Sequence, residues 1–208
     1  MINKLLLVGG GGHCKACIDV IETTDFEVAG IIDKKKGKVL NYEVIGNDDS
    51  LENMIKEGYS FLVTVGQIKD AAPRVQLFEK IKRLNGKLAT VIASSARVSK
   101  NSTIGEGTII MHQSLVNSAA KVGSNCIINN KALIEHDCTI DDHTHISTAA
   151  VVNGDCMIGK RVFVGSNSVI AQGVQIADDV VIGAGSVVVK SITRRGMFAG
   201  NPAKEIGE

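Results

Sequence analysis

From Val98 onward, every sixth residue of this chain is Ile or Val. The run covers positions 98, 104, 110, 116, 122, 128, 134, 140, 146, 152, 158, 164, 170, 176, 182 and 188, sixteen in succession, although the two types fill only 47 of the 208 positions. Two residues before each anchor stands a small or β-branched residue (Ala, Ser, Thr, Cys or Val), and Gly follows the anchor at 105, 123, 159, 165 and 183. A six-residue repeat of this kind predicts a parallel β-helix. Each hexad supplies one short strand and one corner, three hexads make a coil of 18 residues, and like positions stack from coil to coil. One inward column is then Val98, Val116, Ile134, Val152, Ile170 and Val188. Each buried anchor contributes roughly 1.5–3 kcal/mol before conformational entropy is set against it. A narrow prism has no room for large rings, which accounts for 3% aromatic residues and the absence of Trp. Cys126, Cys138 and Cys156 fall at the small inward position and read as packing residues.

Residues 1–93 follow another rule. LLLVG, VAGIID, FLVTVG and LATVI read as strands, and 14–23, 50–57 and 70–85 carry helical spacing between them. Alternation of this kind predicts a Rossmann-like α/β domain over 1–93, followed by the β-helix with a C-terminal tail over 94–208. A ligand crevice is expected beyond the carboxyl ends of the strands. The glycine loop Gly9 to His13 follows the first strand and opens the first helix, where backbone amides can face a phosphate; it also reads as a tight turn. It is not a strict dinucleotide fingerprint, because Cys14 stands where a third Gly would be needed.

Lys plus Arg (23) balance Asp plus Glu (22), and no basic run is long enough to suggest nucleic acid or an anionic membrane surface. No run of 18 apolar residues occurs, and the start does not read as a signal peptide, so a cytoplasmic protein is expected. Five cysteines in such a chain suggest reduced thiols, and Cys14 with Cys17 reads as helix packing rather than a redox pair.

The stretch LIEHDCTIDDHTHI, Leu133 to Ile146, gathers three of the five histidines. Read as a cluster, His136, Cys138, His143 and His145 would suit zinc. The six-residue register divides them, since Cys138 points inward while His136 projects from a corner. No metal is therefore expected, whether zinc here or magnesium at Asp141 and Asp142. His145 is placed on a different corner from His136, and His143 and His112 read as structural. On its residues alone, His136 is either an exposed corner residue or a general base. Its neighbours one coil away, Ser118 and Gly154, are small and leave a notch beside the ring.

Taken together, the hexads, VGGGGH near the start, IEHDCTI and DDHTHIS in the middle and GNPAK at the end resemble the bacterial sugar acetyltransferases that include sialic acid O-acetyltransferases and UDP-4-amino-sugar N-acetyltransferases. The resemblance implies a left-handed β-helix, a homotrimer with active sites between subunits, and acetyl-CoA as cosubstrate. It implies His136 as the base and Asp137 as the group that polarises it. Gly154 matches the position whose amide contacts the thioester oxygen, and His145, Ala184, Pro202 and Lys204 fall on the acetyl-CoA side, with Arg194 or Arg195 near its phosphates. For the nucleotide-sugar, the resemblance implies Gly9, Gly11, Gly12, His13, Asp33, Lys34, Lys36 and Gly66. Two departures stand out: QIKDAAPR follows Gly66 where the family often has an Asn-rich turn, and Thr148, Ala149 and Ala150 follow HIS where Pro-Gly-Ala is usual. The expected activity is acetyl transfer to the 4-amino group of a UDP-linked amino-trideoxy sugar, for surface glycan or protein glycosylation. O-acetylation of a sialic-acid-type sugar and a non-catalytic trimeric scaffold are the alternatives.

Overall fold

The computed structural model describes residues 3–207. The chain divides into two compact units, one ending at Ser94 and the other starting at Ser95.

The first unit runs β1 (Asn3–Val8), α1 (Gly12–Ile21), β2 (Phe26–Ile32), β3 (Lys38–Val39), β4 (Tyr42–Gly46), α2 (Leu51–Lys56), β5 (Ser60–Val63), α3 (Ala72–Arg83) and β6 (Lys87–Leu88). The sheet order is β3-β4-β2-β1-β5-β6, parallel throughout except between β3 and β4. Leu5 to Val8 are fully buried, as a central parallel strand requires. The chain passes from β1 to β2 on one side and reaches β5 on the other, so the end of β1 is a topological switch point. All four apolar runs contain strands, but LATVI breaks into two pairs, Lys87–Leu88 and Val91–Ile92. The β3–β4 hairpin was not expected. Its turn passes through Leu40 at φ +54°, and Tyr42–Gly46 alternates half-buried with exposed, too weak an apolar signal to read as a strand. Arg74 of α3 is buried, and its Nη1 donates to the carbonyls of Val63 (2.6 Å) and Val65 (3.0 Å), fixing the end of β5.

The second unit is a three-sided parallel β-helix built of two-residue strands. One face stacks Val98, Val116, Ile134, Val152, Ile170 and Val188 in register, the column expected from the hexads. From Gly107 to Gly185 every sixth residue is left-handed, with φ between +54° and +71°. This is the third residue after each anchor, and eight of the fourteen are Gly, Asn or Asp, the types that tolerate the conformation best. The small inward residues do more than fill space. Thr108, Ser114, Cys126, Cys138, Thr144, Cys156 and Ser168 each donate to the carbonyl fifteen residues on, at 2.7–3.2 Å, satisfying corner groups that the strand ladders miss. After the last coil, Gly196–Gly200 pairs with Val180–Ile182 and turns back through Ala203–Glu205. No described helix is long and apolar enough to cross a membrane.

Candidate active site

The strand Leu133–Ile134 is held between Leu115–Val116 and Val151–Val152, so the three residues after it have a fixed backbone. Glu135 N–H donates to Val152 O (2.9 Å), Asp137 N–H to Ser118 O (3.1 Å), and His136 O accepts from Asp155 N–H (3.1 Å). Asp137 is one of the left-handed residues, φ +61°, and this turn brings its carboxylate back beside the preceding ring. His136 Nδ1 and Asp137 Oδ2 lie 2.7 Å apart. With Asp137 accepting, Nδ1 carries the proton and Nε2 presents its lone pair. The imidazole is 55% exposed. That hydrogen bond holds the His136 pKa above its ordinary value of 6.5; desolvation opposes it, and the charges of Asp137, Glu135 and Asp155 add to the rise.

The expected notch is present. A Cβ placed on Gly154 would stand 2.8 Å from His136 Cε1 and 2.9 Å from Nε2, so the imidazole occupies the space that any other residue would fill. Gly154 thus seats the ring, a role beyond the amide contact implied by resemblance.

His145 departs from its expected place. It lies in the strand His145–Ile146 on another face rather than on a corner, and it is buried at 6% exposure. Its Nε2 is 3.1 Å from Asn129 Nδ2, and its ring meets Phe163 edge-on at 5.1 Å. Position 145 follows the strand alternation, which points it outward, but alternation cannot reveal what covers an outward residue. Both neighbours were findable by counting coils: Phe163 is 18 residues on, and Asn129 lies 18 residues before Ser147, two past Ile127, the coil partner of His145. His143 sits at a left-handed corner with Nδ1 3.0 Å from Asn125 Nδ2, and His112 Nδ1 is 2.9 Å from Ser95 Oγ. Cys138 is fully buried and directed inward while His136 faces solvent, so the zinc-like cluster is divided. Among the described residues, no group of three or more His, Cys, Asp or Glu could hold a metal ion.

In the first unit, Asp33 is the keystone. Its Oδ2 accepts Gly10 N–H (2.6 Å) and its Oδ1 accepts Lys35 N–H (2.8 Å), tying the glycine loop to the loop after β2. Asp33 lines three clefts, two of them beside the glycine loop. One, of about 510 Å³, includes Gly9, Lys34, Val65, Lys80 and Arg83; the other, of about 480 Å³, includes Gly10, Gly11, Lys15, Lys36 and Val39. Gly9 has φ +109°, and a Cβ there would fall 2.5 Å from Val65 Cγ2, so only glycine allows β1 and β5 to end this close. Gly11 caps α1 and Gly12 begins it; a Cβ on either would meet nothing within 4 Å, which leaves the helix N-terminus open. A Cβ on Gly66 would touch His13 Cβ at 3.3 Å, so these two expected residues also meet. Lys80 and Arg83 were not foreseen, because helical spacing places them on α3 without showing that α3 borders the crevice.

Pro202 and Lys204 line a cleft of about 280 Å³ with Val188, Lys190 and Phe198 at the end of the solenoid. Ala184 is exposed on a corner just beyond Gly165, where a Cβ would fall 2.5 Å from Ala184 N. Arg194 pairs with Glu205.

Residues 4–81 match the PglD N-terminal domain, and residues 155–190 match the bacterial transferase hexapeptide repeat. Among solved structures, the acetyltransferase domain of PglB from Neisseria gonorrhoeae is 31% identical, with 98% of this chain and 100% of that one covered and a TM-score of 0.91. The same domain in complex with acetyl coenzyme A is 29% identical over 99% and 100%, TM-score 0.93. PerB from Caulobacter crescentus, in complex with CoA and GDP-perosamine, is 32% identical over 100% and 99%, TM-score 0.93. No curated protein matches the chain in sequence.

Proposed function

Because this chain belongs to the bacterial sugar acetyltransferases that join a PglD-type N-terminal domain to a left-handed β-helix of hexapeptide repeats, and is an acetyl-CoA-dependent sugar N-acetyltransferase, we propose that it acetylates the 4-amino group of a UDP-linked amino-trideoxy sugar for glycan biosynthesis. The observation that carries the chemistry is the 2.7 Å His136–Asp137 pair seated over Gly154.

Nε2 of His136 takes a proton from the acceptor ammonium, and the freed amine lone pair attacks the thioester carbonyl. The oxygen that gains negative charge is steadied by the Gly154 N–H. As the tetrahedral intermediate collapses, the C–S bond breaks and the CoA thiolate takes the proton held on His136; the freed Nε2 then takes the second proton from the new amide nitrogen and passes it to solvent. Acetyl passes directly between substrates, without an acyl-enzyme. The clefts around Asp33 hold the nucleotide, with Gly9, Gly11, Gly12 and His13 toward the diphosphate, and Lys34, Lys36 and Gly66 on the flanking loops. Ala184, Pro202 and Lys204 lie on the acetyl-CoA side. His136 and His145 lie on different faces of one solenoid, so we place their joint action between neighbouring protomers of a homotrimer.

Coenzyme A release, measured with saturating acetyl-CoA and a panel of acceptors, tests this reading. Fastest turnover of the UDP-linked 4-amino sugar supports it. Fastest turnover of the GDP-linked sugar favours a second reading, suggested by the GDP-perosamine bound in the PerB relative. Turnover of sialic acids alone overturns both.

The base must be neutral to accept a proton, so kcat/KM is expected to fall as pH drops through the raised His136 pKa. The midpoint of that acid limb lies above 6.5 in the wild type. Asp137→Asn removes the main cause of the rise and is expected to move the limb to lower pH while reducing kcat. A pH profile whose acid limb stays fixed in this variant contradicts the assignment.

A further inference from the structure

The His136 corner carries another carboxylate, Glu135, whose charge has so far entered only through the raised His136 pKa. Glu135 is half-buried, and its Oε2 accepts from Asn117 Nδ2 at 2.8 Å and, more weakly, from His136 N–H at 3.4 Å. Asn117 is fixed in turn, because its Oδ1 accepts Ser118 N–H at 2.8 Å. The carboxylate is therefore held in one orientation by a residue 18 positions earlier, on the adjoining coil. Among the described residues, its Oε1 accepts no hydrogen bond and it makes no ion pair. Asp137, by contrast, is engaged with the imidazole. A partly desolvated carboxylate with one open oxygen, next to a base whose Nε2 presents a lone pair, suits a ligand with at least two donors on one atom.

We propose that Glu135 selects amine over hydroxyl acceptors, its Oε1 receiving one N–H of the acceptor ammonium while a second N–H is given to His136 Nε2. This rests on the reading of the acceptor as an amino sugar. An ammonium has three N–H donors and satisfies both groups together. A hydroxyl has one, so giving it to His136 leaves the Glu135 oxygen unpaired, and a site built to receive a donor discriminates strongly against an analogue that lacks it. When His136 removes its proton, the neutral amine keeps an N–H on Glu135 and turns its lone pair to the thioester carbonyl. The C–N bond forms as the C–S bond breaks; one proton leaves with the CoA thiol, and the other passes from the new amide nitrogen through His136 Nε2 to solvent.

Glu135→Gln provides the test. Asn117 Nδ2 still needs an acceptor, so the new amide turns its oxygen to Asn117 and its NH2 to the acceptor, reversing the open group while keeping the brace. The KM for the 4-amino sugar nucleotide is expected to rise roughly 10- to 100-fold, with the KM for acetyl-CoA unchanged. The inhibition constant of the matching 4-hydroxy sugar nucleotide stays near its wild-type value, so the preference for the amine collapses. Glu135→Asp keeps the charge but withdraws it by one methylene, and gives a second reading if the first variant folds poorly: its preference must fall as well. A folded variant that keeps the wild-type preference, or that loses both ligands equally, overturns the inference alone. A wild-type enzyme that acetylates hydroxyl acceptors but no amino sugar overturns it together with the proposed function.

Discussion

His136→Ala is expected to lower kcat by about 10²–10⁴-fold, with little change in the KM for acetyl-CoA and no change in melting temperature. The split follows from where the residue sits. Its side chain is 55% exposed and its backbone carbonyl, which accepts from Asp155 N–H, survives the substitution, so the corner keeps its shape. What disappears is the acceptor for the ammonium proton. Chemistry then depends on the small fraction of acceptor that is already deprotonated, so the loss should shrink as pH rises. Steady-state kinetics across pH, beside a thermal melt, check both halves of the expectation.

Gly154→Ala is the second large effect, and it separates positioning from folding. The added methyl would stand 2.8 Å from His136 Cε1, inside van der Waals contact, yet the atoms it meets belong to an exposed side chain that can swing away. The protein is therefore expected to fold with wild-type stability while the imidazole is displaced. A displacement on the order of 1 Å costs about 10²-fold in turnover. The variant should keep the nucleotide and acetyl-CoA affinities of the wild type, as isothermal titration can show. A G154A enzyme with normal turnover would mean that the ring need not sit where the structure places it.

How much of this was legible in the chain depends on which physical rule each feature obeys. The anchors were readable because Ile or Val every six residues has one efficient burial, and the column from Val98 to Val188 stacks in register. The left-handed corners were equally readable in principle: Asp137, Asp155, Asn167 and Asp179 all stand three residues after an anchor. The same arithmetic links Glu135 to Asn117 and His136 to Gly154, so the candidate base, its seat and its neighbouring carboxylate follow from one period once the coil is known. His145 shows the limit. Register tells whether a residue points in or out, and it could not say that an outward residue would be buried against Phe163. The β3–β4 hairpin was missed because a short, half-exposed strand carries little apolar signal. The grip of Asp33 on two loops was missed for another reason: backbone amides on separate loops leave no trace in residue types.

The central claim is that the His136 imidazole, seated over Gly154 and oriented by Asp137, takes the proton from an amino-sugar acceptor. Rescue by added imidazole tests it most directly, measured as coenzyme A release from acetyl-CoA and the 4-amino sugar nucleotide. Imidazole should restore turnover to His136→Ala in proportion to its neutral fraction and leave the wild type unaffected. If His136→Ala turns over at the wild-type rate without imidazole, the base lies elsewhere and the account is wrong.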